Sequence, residues 1–170
     1  MTVAFAQRTD GLRLEGAYQV LARAQELEAQ GKEIVHLEIG EPDFPTPENI
    51  GRAAARAIAE GKTHYNPSAG IRELRAAIAA DASQRRGLTI FPEQVVVSPG
   101  AKPNLFFPAL ALVNPGEEVV YPDPGFPTYE AMIRVTGGVG RPVPLLESNG
   151  FSIDREVLAR LVNARTRLII

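Results

Sequence analysis

The chain has 170 residues, enough for one domain with a real core or for part of a larger one. Its net charge of -2 with 22% charged residues advertises no surface for nucleic acid, and no apolar run approaches the ~20 residues of a membrane span. Cysteine is absent, which removes disulfides, thiolate metal sites and thiol catalysis, and the two histidines, His36 and His64, are too few and too far apart for a zinc site.

Residues 1–14 show no clear periodicity and read as an arm, with too little hydrophobic sequence for a secretory signal, so a cytoplasmic protein fits. From Glu15 to Gln30, Ala17, Val20, Leu21, Ala24 and Leu27 recur at helical spacing, and Gly31 stands where a helix would stop. The run Ile34 to Ile39 predicts a short strand. It enters Gly40-Glu41-Pro42-Asp43-Phe44-Pro45-Thr46-Pro47, where three prolines and a glycine forbid regular structure. Thr46 suits the cap of the next helix and Pro47 its first position, with Ile50, Ala54, Ala57 and Ile58 as the stripe expected to be buried. After the loop Thr63-His64-Tyr65-Asn66-Pro67-Ser68-Ala69-Gly70, a helix ending at Gly87 is expected to turn Ile71, Leu74, Ala77 and Ile78 inward.

Val95-Val96-Val97 reads as a strand leading into Ser98-Pro99-Gly100-Ala101-Lys102, and an apolar helix containing Pro108 leads out to Val113. After the turn Asn114-Pro115-Gly116-Glu117 come a strand at 118–121, the stiff loop Pro122-Asp123-Pro124-Gly125-Phe126-Pro127 and a helix over 127–136. An extended stretch over 141–146, a helix over 154–163 and a strand from Arg165 to Ile170 complete the chain. Strands alternating with helices argue for an α/β sheet with short connections. The apolar run Leu168-Ile169-Ile170 reads as a core strand, from which the sequence is expected to be the N-terminal piece of a longer protein.

The small residues of Ser98–Lys102 stand where a strand becomes a helix. On residues alone this is either a tight turn or a place to hold an anion, since glycine lets a ligand approach the backbone and the first helical amides lack internal partners. Two other phosphate patterns fail. Gly61-Lys62-Thr63 resembles a P-loop tail, but Arg56 stands where that pattern needs glycine, and Gly137-Gly138-Val139-Gly140 lacks the third glycine and the helix of a dinucleotide fingerprint. Phe126 between prolines also reads as core packing, Tyr65 as an anchor for its loop, Glu41 and Asp43 as loop caps, and His64 as a loop residue.

Taken together and in order, Ile39 to Pro47, Tyr65 to Gly70 with Leu74-Arg75, Ser98 to Lys102, and Asn114 to Glu117 with Pro122 to Phe126 resemble the class I/II aminotransferases, pyridoxal-phosphate enzymes of fold type I. The resemblance runs from about Glu15 to Ile170. It implies the N-terminal portion of that fold: an incomplete mixed α/β sheet flanked by helices. Residues 1–47 would form an arm, helix and lid loop of the small domain, and residues 48–170 part of the large cofactor-binding domain.

It also implies that Gly100, Ala101 and Lys102 give backbone amides to the phosphate of pyridoxal 5'-phosphate, and that Phe126 lies on the pyridine face. Tyr65 would reach the phosphate in the neighbouring subunit of a homodimer, and Gly40 would present its backbone to the substrate carboxylate. The substrates implied are an amino acid and a 2-oxo acid. No catalytic residue is implied within the chain: the Schiff-base lysine is expected beyond Ile170, with the asparagine, aspartate and arginine that serve the ring and the substrate carboxylate, so this piece alone is expected to be inactive. A lyase or synthase using the same cofactor cup, and a non-catalytic aminotransferase-like protein, are the alternative functions.

Overall fold

Helices form where the apolar spacing places them, and their ends fall at local breakers. In the computed structural model, which describes residues 3–10, 12 and 16–170, they are α1 (Gly16–Glu28), α2 (Glu48–Ala59), α3 (Arg72–Arg86), α4 (Lys102–Leu112), α5 (Thr128–Val135) and α6 (Arg155–Leu161). Part of the expected arm (Met1, Thr2, Gly11, Arg13 and Leu14) and Glu15, the expected first residue of α1, lie outside the described residues. The described arm is irregular apart from a 3-10 turn at Gln7–Thr9. α6 has the clearest start: the Asp154 carboxylate accepts from the amides of Glu156 (2.8 Å) and Val157 (3.2 Å), satisfying two donors that the helix itself leaves unpaired.

The chain divides into two compact units, Met1–Ile39 with Ala101–Ile170, and Gly40–Gly100. The first contains a parallel sheet in which β1 (Glu118–Asp123) runs between β2 (Val139–Pro144) and β3 (Thr166–Ile169). Parallel strands need crossover connections: α5 supplies the one from β1 to its neighbour β2, and α6 lies on the connection from β2 past β1 to β3. The α/β class is as expected from the sequence. An antiparallel strand, which a mixed sheet requires, is not among the described strands.

Val119 and Val120 are both fully buried and point to opposite faces, so β1 is covered on two sides, as a central parallel strand must be. Val119 packs with Ala109 and Val113 from α4 and the end that follows it, and with Met132 and Ile133 from α5. Each valine of this kind contributes about 1.5–3 kcal/mol.

Among the described residues the one buried charge is Glu118, at the amino end of β1. Its Oε1 accepts from Arg141 Nη2 (2.6 Å) and forms an ion pair with Arg165 Nη2 (2.5 Å), and its Oε2 accepts from Asn163 Nδ2 (2.8 Å). Arg141 belongs to β2, and Asn163 and Arg165 lie just before β3, so one carboxylate joins all three strands at a single end of the sheet. The Arg141 hydrogen bond, followed by that of Asn163, holds the Glu118 carboxyl down at about 2.

In the first unit, His36 bridges Glu28 at the end of α1 (Nε2, 2.8 Å) and Glu38 (Nδ1, 2.6 Å). The two carboxylates, Glu38 foremost, raise the His36 pKa to about 9.

Several expectations are corrected. Residues 34–39 and 95–97 form no strands, because their extended, apolar backbones have no ladder partner among the described residues. The stripe of α2 is not buried: Ile50 and Ile58 are more than half exposed, and Ile71, Leu74 and Ile78 on and before α3 are exposed as well. Periodicity marks the apolar face of a helix, but no described element covers these two. α2 takes Pro47 as its capping residue and Glu48 as its first, and Thr46 makes no capping bond.

Since the Glu118 carboxyl lies near 2 in the fold against an ordinary 4.5, its contribution is full above about 4.5 and is lost as pH falls toward 2. Glu118→Gln is therefore expected to lower the thermal midpoint at pH 7 and to make the loss between pH 4.5 and 2 shallower. Thermal unfolding across that range checks this, and an unchanged pH profile contradicts it.

Candidate functional site

The turn that opens α4 is built by its sequence. Gly100 has φ +87°, the left-handed region that an L side chain resists, and Ser98 Oγ donates to the Gly100 carbonyl at 2.8 Å. A Cβ built on Gly100 meets no heavy atom within 4 Å, so the space beside its backbone is open. Ala101, in the right-handed helical region, precedes Lys102 as the first residue of the helix, and Pro103 follows with no N–H to satisfy. The amide of Asn104 turns back to the Ala101 carbonyl (3.0 Å). What remains at the mouth of α4 is the start of a helix with its positive dipole end.

Phe126 comes from the other side of the first unit, three residues past the carboxyl end of β1. Its ring packs edge-on against Tyr129 (centroids 5.8 Å apart, 76° between planes), and Tyr129 packs edge-on against Tyr121 of β1 (6.5 Å, 67°). The Tyr129 amide donates to the Phe126 carbonyl (3.0 Å), which fixes the ring's backbone to the first turn of α5. Burial pushes the Tyr121 phenol above its ordinary 10, so it stays neutral beneath this aromatic row. Phe126 remains 36% exposed, which leaves part of a ring free for a flat partner.

Lys102 joins the two sides. Its Nζ lies 5.6 Å from the centroid of Phe126 and 6.0 Å from that of Tyr18 on α1, both at cation–π range. Sequence reasoning assigned Lys102 only a backbone role and passed over Tyr18. The one available signal was an aromatic on the polar flank of an otherwise ordinary amphipathic helix.

The residues singled out from the sequence thus separate. Ala101, Lys102 and Phe126 are brought together in the first unit. Gly100, Tyr65 and Gly40 belong to the second. There, Tyr65 is fully exposed in an open depression lined by residues 63–68, which include His64. Its ring is outside any packing, which removes the reading of Tyr65 as an anchor for its loop. Gly40 and the neighbouring Glu41, Asp43 and Phe44 are exposed. The failed phosphate patterns are turns: Gly61 follows the end of α2, and Gly137 and Gly138 separate α5 from β2.

The family described as aminotransferase class I and II matches residues 32–170. This chain belongs to that family. It is 41% identical over 165 residues to a probable aspartate/prephenate aminotransferase of Thermus aquaticus, covering 97% of the chain and 43% of the relative. It is also 41% identical over 150 residues to an arginine–pyruvate transaminase of Pseudomonas aeruginosa, covering 88% and 37%.

The structure of an aspartate aminotransferase from Thermus thermophilus with maleate superposes with a TM-score of 0.93 at 39% identity, over 99% of this chain and 44% of that one. The chain therefore spans less than half the length of the relatives it matches, and its fold is that of their N-terminal portion.

Gly100→Ala forces a side chain into the left-handed region and is expected to cost about 1–2 kcal/mol of stability. Urea unfolding checks this, and an unchanged midpoint contradicts the placement of the turn.

Proposed function

We propose that the whole protein is a pyridoxal 5'-phosphate-dependent aminotransferase, moving an amino group between an amino acid and a 2-oxo acid. The observation that carries this reading is the meeting of the α4 amino end with the partly exposed Phe126 ring, on a chain whose relatives are named aminotransferases. The residues present suit the cofactor. A helix mouth beside an open, left-handed glycine matches a phosphate, and an aromatic face backed by Tyr129 and Tyr121 matches a pyridine ring.

When bound, the cofactor supplies an electron sink for carbanion chemistry. The chain's residues hold and orient it. The amides of Gly100, Ala101 and Lys102 take the phosphate. Phe126 covers one face of the ring, keeps water from it and sets its tilt, though a phenyl group donates no hydrogen bond. Gly40 offers its backbone to the substrate carboxylate, and Tyr65, exposed and unpacked, donates its hydroxyl to the phosphate of the neighbouring subunit in a homodimer.

The small domain then comprises residues 1–47 and the large one begins at residue 48. The lysine that bonds the cofactor lies outside residues 1–170, so these residues alone are inactive. Synthesis and function in the cytoplasm agree with a cysteine-free chain in which no described helix is long and apolar enough to cross a membrane.

The relatives' names make aspartate and arginine the first amino donors to test. The expected result is transfer to a 2-oxo acid that disappears when the cofactor is removed and returns when it is restored. Absence of transfer from any standard amino acid overturns the reading. In the same protein Phe126→Ala is expected to weaken cofactor retention by about 1–3 kcal/mol through lost stacking and burial, and an unchanged dissociation constant removes Phe126 from the site.

A further inference from the structure

The segment 95–97 runs straight into the phosphate turn, yet it lies in no sheet among the described residues. Besides the local bond from the Val95 amide to the Pro92 carbonyl (3.2 Å), three contacts hold it among the described residues. Arg75 of α3 donates Nε–H to the Val95 carbonyl (2.9 Å), and the Val97 amide donates to the Ala69 carbonyl (3.0 Å). The third contact is steric. Gly70, at φ +100°, sits so close to Val97 that a Cβ on it would lie 2.8 Å from both Cβ and Cγ2 of that valine, and 3.8 Å from Cγ of Arg75. The Gly70 amide in turn donates to the Pro67 carbonyl (2.8 Å), closing the loop that bears Tyr65.

We infer that Gly70 and Arg75 are positioning residues for the phosphate turn: together they lock the Tyr65 loop, the start of α3 and the segment leading to Gly100 into one mechanical piece. This rests on the reading of Gly100–Lys102 as the phosphate holder and adds what sets its place. Arg75, the Ala69 carbonyl and the bare Cα of Gly70 each meet a different residue or face of segment 95–97, so together they set its place. Displacing any of them moves the turn, and with it the direction of the amides that meet the phosphate. In a homodimer the same piece carries a phosphate contact for each of two sites: the turn serves its own, and Tyr65 serves the neighbour's. None of these residues touches the cofactor, so their effect is confined to what the phosphate feels.

The test compares binding of pyridoxal 5'-phosphate and of pyridoxal, which lacks the phosphate, to the whole protein freed of cofactor, followed by fluorescence quenching. In the wild type a clear preference for the phosphorylated form is expected, and its absence overturns the functional reading itself.

Given that preference, Gly70→Ala is expected to reduce it about tenfold or more, the order of loss that small misplacements produce, while pyridoxal binding stays unchanged. Val97→Ala added to Gly70→Ala is expected to restore part of the preference by making room for the new Cβ, and no recovery overturns the steric argument. Arg75→Met adds no clash and carries the same comparison if Gly70→Ala does not fold; it too is expected to lose preference. A variant that lowers the thermal midpoint yet keeps the wild-type preference marks a merely structural role and overturns the inference.

Discussion

A carboxylate with no solvent at all, Glu118, ties the amino end of β1 to Arg141 on one side and to Asn163 and Arg165 on the other. A buried charge is tolerated only when it is paired and hydrogen-bonded, and here Arg141 and Asn163 donate to it while Arg165 adds a second cation. The network fixes which residue of β2 and which approach to β3 stand beside β1, so it sets the register of the sheet at one end. The other end is then free to do chemistry. Phe126 follows the carboxyl end of β1, and its aromatic row runs back through Tyr129 to Tyr121 on the same strand. In open α/β sheets ligands bind outside the carboxyl ends of strands, and Phe126 stands at that end while the Glu118 network holds the other.

In the first unit, the mouth of α4 and Phe126 offer a helix start and a partly exposed aromatic face, and Tyr121 beneath that ring is kept neutral by burial. The other shifted groups, Glu118, Arg141, Glu117, Glu38 and His36, belong to structural ion pairs.

Much of this was legible in the sequence because it is local. The ends of α3 at Gly87 and of α5 before Gly137, the turn at Gly116 and the glycine turn at Gly100 each follow from two or three adjacent residues. What was not legible depends on distant partners. Val95-Val96-Val97 has every local mark of a strand, but a strand exists only with a neighbour, and its holders are Arg75 and Ala69. The apolar faces of α2 and α3 were correctly located and wrongly called buried, since spacing shows which face is apolar and not what covers it. Glu118 passed as an ordinary strand residue because its partners lie 23 and 45 positions away. Lys102 was seen as backbone alone, since nothing in the sequence places Tyr18 and Phe126 on either side of its ammonium group.

The most direct measurement is a crystal structure of the whole protein with pyridoxal 5'-phosphate bound. The expected result is a phosphate within hydrogen-bond distance of the amides of the Gly100–Lys102 turn, with the Phe126 ring lying flat on the pyridine. A phosphate bound elsewhere, or a pyridine ring away from Phe126, contradicts the account.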